Sequence, residues 1–593
     1  MQILYKNNRL ERIVVAINIL TAAVVAVSFA MLFGFDKLLL PAEVLYTTQA
    51  FLLCVFIVEK FIRLFNAHSK LEYIRTFWFE IPLLIALAVA LFGTGRWFGH
   101  EEPAIIRQVS VGVYLVLQVV TKVCRTVVNL AASGRNPTTT LIASFMVLII
   151  TGALLLMLPK STTEENLGVV DALFTATSAT CVTGLIVKDT GSDFSLMGQA
   201  IILTLIQLGG LGIVVFGAVF ALLLGQALTV RESVAMQDLL SARALNKLGS
   251  MIAFIFVGTA LIELIGAVAL FGMWDNAPQW TGSIHEKWFC SIFHSISSFC
   301  NAGFSLFSRS FIDYNRSWQV YTVVCPLIIL GGLGFSVLYD LFAITIDRIK
   351  RFFKRKLDIE ARFFIEAPLK MRLQSKIVLT VSTVLIVLGT MGIMLFEHYT
   401  SSGSSTGDGL RGAFFQSVTA RTAGFNTVEI SQLSPVSRFI LIILMFIGGS
   451  PGSTAGGIKT VTLAVVLMTA IATLRKRSEV EMFKRSVRLV IIGRAVTVTL
   501  LFVLVLFTAT LMLSITERQN GFDMSQIFFE AASALGTVGL TTGITAHLTS
   551  AGKIIIIAAM LIGRLGPLTL LAALTFNIKP AKFNYPEEAI IVG

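Results

Sequence analysis

Apolar runs near the twenty or so residues that a helix needs to cross a bilayer recur along this chain, separated by short polar connections. Four come first, near 13–34, 43–62, 78–95 and 107–127. After a linker punctuated by Gly134 and Pro137, outer spans near 138–159, 251–273, 376–396 and 495–514 alternate with a second, inner set near 199–225, 319–346, 437–472 and 552–577. Between the two members of each pair sits a run of about ten residues rich in Phe, Ala, Ser and Thr, too short to span a bilayer at helical rise. The pattern predicts an all-α polytopic membrane protein. A four-helix block covers 1–135, and a pore domain covers 136–593 with four pseudo-symmetric helix–pore loop–helix repeats, about 138–225, 251–346, 376–472 and 495–577, around one pore.

The short runs end in four related segments. Ala420-Arg421-Thr422-Ala423-Gly424-Phe425-Asn426 is echoed by Cys181-Val182-Thr183-Gly184-Leu185-Ile186, by Cys300-Asn301-Ala302-Gly303-Phe304-Ser305 and by Gly536-Thr537-Val538-Gly539-Leu540-Thr541. The aligned glycines stand 119, 121 and 115 residues apart. Backbone that leaves helical geometry at membrane depth must be buried in protein or line water, because lipid offers its N–H and C=O groups no partner. Four such loops on one axis present rings of carbonyl oxygens, the means by which a potassium filter replaces the hydration shell of the ion. Glycine permits the dihedrals that point those carbonyls inward. The expected lining is Val182, Thr183, Gly184, Asn301, Ala302, Gly303, Thr422, Ala423, Gly424, Thr537, Val538 and Gly539, with carbonyls of the non-glycine members as the potassium ligands.

From Pro137 onward the chain resembles the Trk/Ktr/HKT superfamily of potassium-uptake proteins, in the manner of a TrkH/KtrB-like membrane subunit. The runs 293–305, 415–427 and 529–540 are similar to the pore loops of that superfamily, and 1–135 lies outside the likeness. The resemblance implies a single-chain pseudotetrameric potassium pore that works as a homodimer. It also implies a separate cytosolic regulatory ring of nucleotide-binding, Rossmann-like subunits (TrkA/KtrA-like). In the plant branch a serine in the first filter accompanies sodium transport, so Gly184 favours potassium over a sodium-permeable or sodium/proton-coupled transporter.

The inner spans share a second mark, Gly209-Gly210-Leu211-Gly212, Gly331-Gly332-Leu333-Gly334, Gly448-Gly449-Ser450-Pro451-Gly452 and Gly563-Arg564-Leu565-Gly566, each 24 to 28 residues past its loop glycine. In the first two repeats the small residues are read as letting helices pack closely. In the third, Gly449, Ser450, Pro451, Gly452, Ser453, Thr454, Ala455, Gly456 and Gly457 cannot continue a regular helix, and a broken inner helix should line the cavity. Arg564 stands where two other repeats have Gly210 and Gly332, too deep to snorkel easily, and intramembrane charges generally face an aqueous interior. By resemblance, Arg564 and this Gly-rich segment form a constriction below the filter. The alternative is a structural Arg564 paired with a buried carboxylate such as Glu530.

Composition agrees with the membrane reading: 55% of residues are hydrophobic, 14% are charged and mean hydropathy is +0.83. The net charge of +13 sits in short loops rather than on a soluble domain, which argues against nucleic acid. Basic loops at 60–75, 122–135, 231–247, 348–376 and 475–494 place both termini of a multi-pass cell-membrane protein in the cytoplasm. The apolar run ending near Phe33 reads as a retained helix rather than a signal peptide. Cys54, Cys124, Cys181, Cys290, Cys300 and Cys325 lack metal-ligand spacing, and His294 and His398 have no partner at such spacing. No nucleophile–base pair or zinc motif suggests an enzyme, and no Gly-x-Gly-x-x-Gly suggests a bound organic cofactor. Potassium is expected only as the transported ion. Asp189 and Asp193 are candidates for concentrating cations at the outer mouth. Glu59, Arg63, Arg75 and Trp78 look faintly like voltage-sensor helices, but Arg107, Lys122 and Arg125 form no regular ladder, so 1–135 is read as a structural bundle.

Overall fold

The computed structural model describes residues 6–35, 40–76, 137–163, 167–212, 248–276, 283–356, 369–400 and 409–567, with a few positions between 84 and 118. The predicted spans near 78–95 and 107–127, the linker before Pro137 and the basic connection 231–247 fall wholly or mainly outside these residues. In the N-terminal block, α1 (Asn8–Gly34) and α2 (Ala42–Asn66) form an antiparallel hairpin followed by α3 (Lys70–Thr76). Glu59 is buried between them, accepting from Asn18 Nδ2 at 2.8 Å and pairing with Arg63 at 3.0 Å, while Arg63 also reaches Glu11. A charge in an apolar hairpin persists only with such partners.

The four repeats follow in order. Outer helices are α4 (Pro137–Leu156), α7 (Leu248–Leu270), α11 (Leu373–Thr400) and α15 (Leu489–Thr516). Each leads to a half-helix: α5 (Val169–Thr180), α8 (Ile284–Phe299), α12 (Gly409–Thr419) or α16 (Met524–Gly536). With 11 to 16 residues these stop short of a full crossing. The inner helices start at polar caps, where Ser195, Ser434 and Thr549 accept from backbone N–H groups of α6 (Leu196–Leu211), α13 (Pro435–Phe446) and α17 (Ser550–Leu565). The second inner helix runs through a π turn (Val320–Val324) into α9 (Cys325–Leu333), then α10 (Phe335–Lys356), and the third resumes as α14 (Thr460–Leu474). Among the described residues, four helices, Arg9–Gly34, Gly249–Asp275, Leu373–Tyr399 and Leu489–Thr516, are each long and apolar enough to cross a membrane unbroken. Leu261, Leu264, Leu500, Leu504 and Leu511 are exposed along two of them, a surface suited to lipid rather than water.

The inner spans do not run through as predicted. Helical geometry breaks at Gly212, Gly334 and Gly566, with φ of +82°, +88° and +84°; after Gly334 it resumes as α10, and the remainder of the first and fourth spans lies outside the described residues. The anticipated break in the third repeat spans 447–459. Close packing, the reading given to the first two marks, holds for the leading glycines and for Gly210, where an added Cβ would meet the Cys300 side chain, but does not account for the turn at the trailing one. Gly209, Gly331 and Gly563 abut the carbonyls of Thr180, Phe299 and Leu535 so closely that a Cβ would overlap them. The trailing glycine supplies a left-handed turn that other residues resist.

Gly331→Val therefore forces the α8 terminus and α9 apart and should destabilise the protein by roughly 1–3 kcal/mol. Gly493→Ala, where the added Cβ meets nothing within 4 Å, should be neutral or slightly stabilising. Thermal unfolding of the two variants in one detergent checks both outcomes.

Candidate functional site

The half-helices converge on their four following loops. Val182, Asn301, Thr422 and Thr537 have φ of 57°, 59°, 78° and 50°, and the glycine two residues later has 90°, 70°, 82° and 91°, while the residue between stays at negative φ. Three of those non-glycine residues are β-branched, for which left-handed backbone is an outlier, and such strain persists only where the surroundings impose it. A Cβ on Gly184 would strike the carbonyl oxygen of Ala302, one on Gly303 that of Ala423, one on Gly424 that of Val538 and one on Gly539 that of Thr183. The contacts run from each repeat to the next and close on the first. All twelve residues expected to line the passage lie in the segments that form this ring, and the carbonyls of Thr183, Ala302, Ala423 and Val538 each abut the glycine of a neighbouring repeat.

The N–H groups turn the other way, into the half-helices. Thr183, Ala302, Ala423 and Val538 each donate at 2.8 Å to the carbonyls of Ser178, Ser297, Thr419 and Ser533. Gly184 and Gly539 donate to Ser178 Oγ and Ser533 Oγ at 3.1 Å. In the other two repeats Ser297 Oγ and Thr419 Oγ donate to the carbonyls of Phe304 and Phe425 at 2.8 and 2.6 Å. Above the ring, two residues nine positions before the glycine hold the returning strand. Glu530 accepts from Thr541, from Thr542 N at 3.1 Å and from Thr545 at 3.0 Å. His294, with Nδ1 2.9 Å from the carbonyl of Cys290, places Nε2 3.1 Å from Ser305 Oγ and accepts from Leu306 N at 3.4 Å. His294 is thus a packed residue, whereas His398 is exposed against Tyr399. Asp189 and Asp193 spend their carboxylates on their own turn, accepting from Gly191 N and Asp189 N at 2.8 Å.

Beneath the ring lies the broken third inner helix. Gly456 abuts Thr537, and a Cβ on Gly331 would come within 3.2 Å of Thr454 Oγ1. Ser450 donates through N and Oγ to the carbonyl of Gly332 at 3.0 and 2.9 Å, and Phe335 N donates to the carbonyl of Gly452 at 3.0 Å. From the opposite side Arg564 donates to the carbonyls of Thr454 and Gly209, and to that of Gly210 at 3.3 Å. Among the described residues it has no carboxylate partner, and Glu530 is engaged elsewhere, so the alternative pairing of these two is not formed. The segment 449–457 and Arg564 are one hydrogen-bonded unit.

Three ionisable residues nearby escaped the sequence reading. Lys459 Nζ donates to the carbonyl of Ala455 at 2.6 Å, within the broken segment. Glu263 is buried on α7 beside Gln207, whose Nε2 lies at 3.1 Å, and Cys300. Arg421 is buried behind the third loop with Nη2 3.0 Å from Ser382 Oγ. Each interrupts an apolar or small-residue run, the same signal that drew attention to Arg564. Among the described residues no group of His, Cys, Asp and Glu is arranged to hold a metal ion.

Known proteins resemble this chain. The family described as TrkH, cation transport protein, matches residues 109–585. The Ktr system potassium uptake protein B of Bacillus subtilis is 37% identical over 463 residues, covering 77% of this chain and 97% of that protein. Its namesake in Vibrio alginolyticus is 36% identical over 78% of this chain and 96% of that protein. The potassium/sodium uptake protein NtpJ of Enterococcus hirae is 35% identical over 77% and 97%. The crystal structure of the potassium transporter TrkH from Vibrio parahaemolyticus superposes with a TM-score of 0.57 at 19% identity, over 84% of this chain and 96% of that one, a likeness of fold. The chain belongs to the TrkH family of cation transport proteins.

Proposed function

We propose that this protein takes up potassium ions across the cell membrane through the glycine ring. The observation that carries the reading is the closed cycle in which each loop glycine faces the carbonyl of the next repeat. Carbonyl dipoles so placed substitute for water around a bare cation. The half-helices end at the ring, so the partial negative charge of four helix C-termini adds to them. The residues from Val182 to Gly184, Asn301 to Gly303, Thr422 to Gly424 and Thr537 to Gly539 form the selectivity filter. Glycine at all four places, and relatives named for potassium uptake, support potassium over the sodium alternative.

The segment 449–457 with Arg564 acts as the gate. A fixed charge about 6 Å from a passing cation costs about 3 kcal/mol at an effective dielectric of 20. Withdrawal of the segment would take its carbonyls from Arg564 and free the guanidinium to turn aside. Two relatives are named as protein B of a Ktr system, which supports a separate partner. We take that partner to be a cytosolic nucleotide-binding ring acting on a homodimer, with the termini and basic loops on the cytoplasmic side.

Replacing Gly184, Gly303, Gly424 or Gly539 by Ser should lower potassium preference, because the new Cβ displaces a neighbouring carbonyl; rubidium against sodium flux in liposomes measures it, and unchanged selectivity in all four variants would exclude this filter. Arg564→Ala, or deletion of 453–456, should raise basal flux at least about tenfold with selectivity retained, since removing the charge lowers the barrier by a few kcal/mol. A folded Arg564→Ala protein no faster than wild type would make the arginine structural. Glu530→Ala leaves Thr541, Thr542 and Thr545 without their buried acceptor and should lower stability by about 3 kcal/mol, read by thermal unfolding.

A further inference from the structure

α10 turns 103° away from the preceding helix at Gly334. The stretch from Val320 to Leu333 is too short to cross a bilayer alone, so α10 leaves it sideways from beside the 450–452 backbone and carries its basic end toward the membrane surface. Its first half is fastened to the protein. Val337 and Ile344 are buried, and Asp340 accepts from Ser375 Oγ at 2.7 Å and Arg372 N at 3.1 Å. Further along, Asp347 accepts from Arg351 Nε at 2.8 Å and Leu369 N at 3.2 Å.

The outward face has a different chemistry. Phe342, Ile349, Phe352 and Phe353 are 48, 50, 65 and 55% exposed, and Arg348 and Lys350 stand exposed among them. The helix ends in the basic run Lys354-Arg355-Lys356. On a helix lying in an interface, rings that enter the acyl boundary and cations that meet phosphates together fit an anionic phospholipid surface. An acidic soluble protein would match the charges and leave the aromatic rings in water.

The root of α10 is also joined to the proposed gate. Phe335 N donates to the carbonyl of Gly452 at 3.0 Å, and Ser450 holds the carbonyl of Gly332 two residues before the turn. We propose that α10 is an interfacial anchor for anionic phospholipid, and that this anchoring holds the 449–457 segment in its closed position. The second half of the proposal rests on the gate reading above; the first does not.

The test uses the full chain in liposomes, with an environment-sensitive maleimide on Phe353→Cys in a Cys54→Ser, Cys124→Ser background. Phosphatidylglycerol with brominated chains should quench the probe several-fold more than brominated phosphatidylcholine at equal amounts. Arg348→Gln and Lys350→Gln should each weaken that preference on the order of fivefold. Basal rubidium flux should be lower with phosphatidylglycerol than with phosphatidylcholine alone, and the double variant should lose the difference. In Arg564→Ala the lipid dependence of flux should vanish while the quenching preference stays. Equal quenching by the two lipids overturns the anchor, as does a probe already shielded in detergent, which would assign this face to a second copy or a soluble partner. Preferential quenching with wild-type flux indifferent to lipid overturns the coupling alone, and the flux of Arg564→Ala in phosphatidylcholine then judges the gate separately.

Discussion

Carbonyl oxygens packed into a ring against the glycines of neighbouring repeats repel one another and find no partner in lipid, so the four-repeat domain depends on what holds them there. The restraint is the opposing set of hydrogen bonds. In every repeat the N–H before the glycine is taken by a carbonyl one turn back in the half-helix, and a Ser or Thr hydroxyl of the same turn grips the strand beside it. With these donors committed to the half-helices, the carbonyls are left against the glycines of the neighbouring repeats. The half-helices must in turn be fixed, and the leading inner-helix glycines do this by letting those helices close on Thr180, Phe299 and Leu535. Removal of any one of these close approaches loosens the base on which the loops stand.

The fourfold plan is kept in the backbone and relaxed in the side chains. Nine residues before the glycine, His294 and Glu530 brace the second and fourth loops, while Thr175 and Phe415 hold the same place in the others. Three residues before it stand Cys181, Cys300, Arg421 and Gly536. Such variation is tolerated because the ring itself is built from backbone, and the strained φ pattern is common to all four strands. Side chains in a single repeat are then free to take on tasks that break the symmetry, as Arg564 and the 449–457 segment do.

Much of this was legible in the amino-acid sequence, for reasons that are physical. A helix too short for the bilayer, a glycine at a repeated place and a proline among glycines each carry their geometry locally. The family resemblance added the pairing of Arg564 with the Gly-rich segment. Three things were not legible. The breaks at Gly212 and Gly334 look like packing motifs, because a glycine that permits close approach and one that turns left-handed are the same letter. The ring order and the brace of His294 are contacts between segments, invisible to spacing, whereas a buttress of hydrogen bonds from Glu530 could be anticipated from a carboxylate inside a half-helix. The bend that sends α10 sideways depends on Gly334 together with its hydrogen bonds to 450–452, a partner set over a hundred residues away.

Those overlooked breaks explain how a positive charge can be kept buried beneath the glycine ring at all. An α-helix leaves its last four carbonyls unpaired, and its C-terminus carries partial negative charge. By ending α6 at Leu211, the Gly212 turn leaves the carbonyls of Gly209 and Gly210 open, and these are the groups that Arg564 takes. By ending α9 at Leu333, the Gly334 turn likewise leaves the Gly332 carbonyl open, and Ser450 takes it. The first two repeats thus supply acceptors on two sides, the fourth supplies the cation and the third supplies the segment held between them. A continuous first inner helix would satisfy its own carbonyls and leave the buried arginine with that of Thr454 alone, and a continuous second one would take from Ser450 the acceptor that holds the segment. The charge beneath the ring is therefore a property of the four repeats together, and the glycines that read as packing residues are part of its coordination.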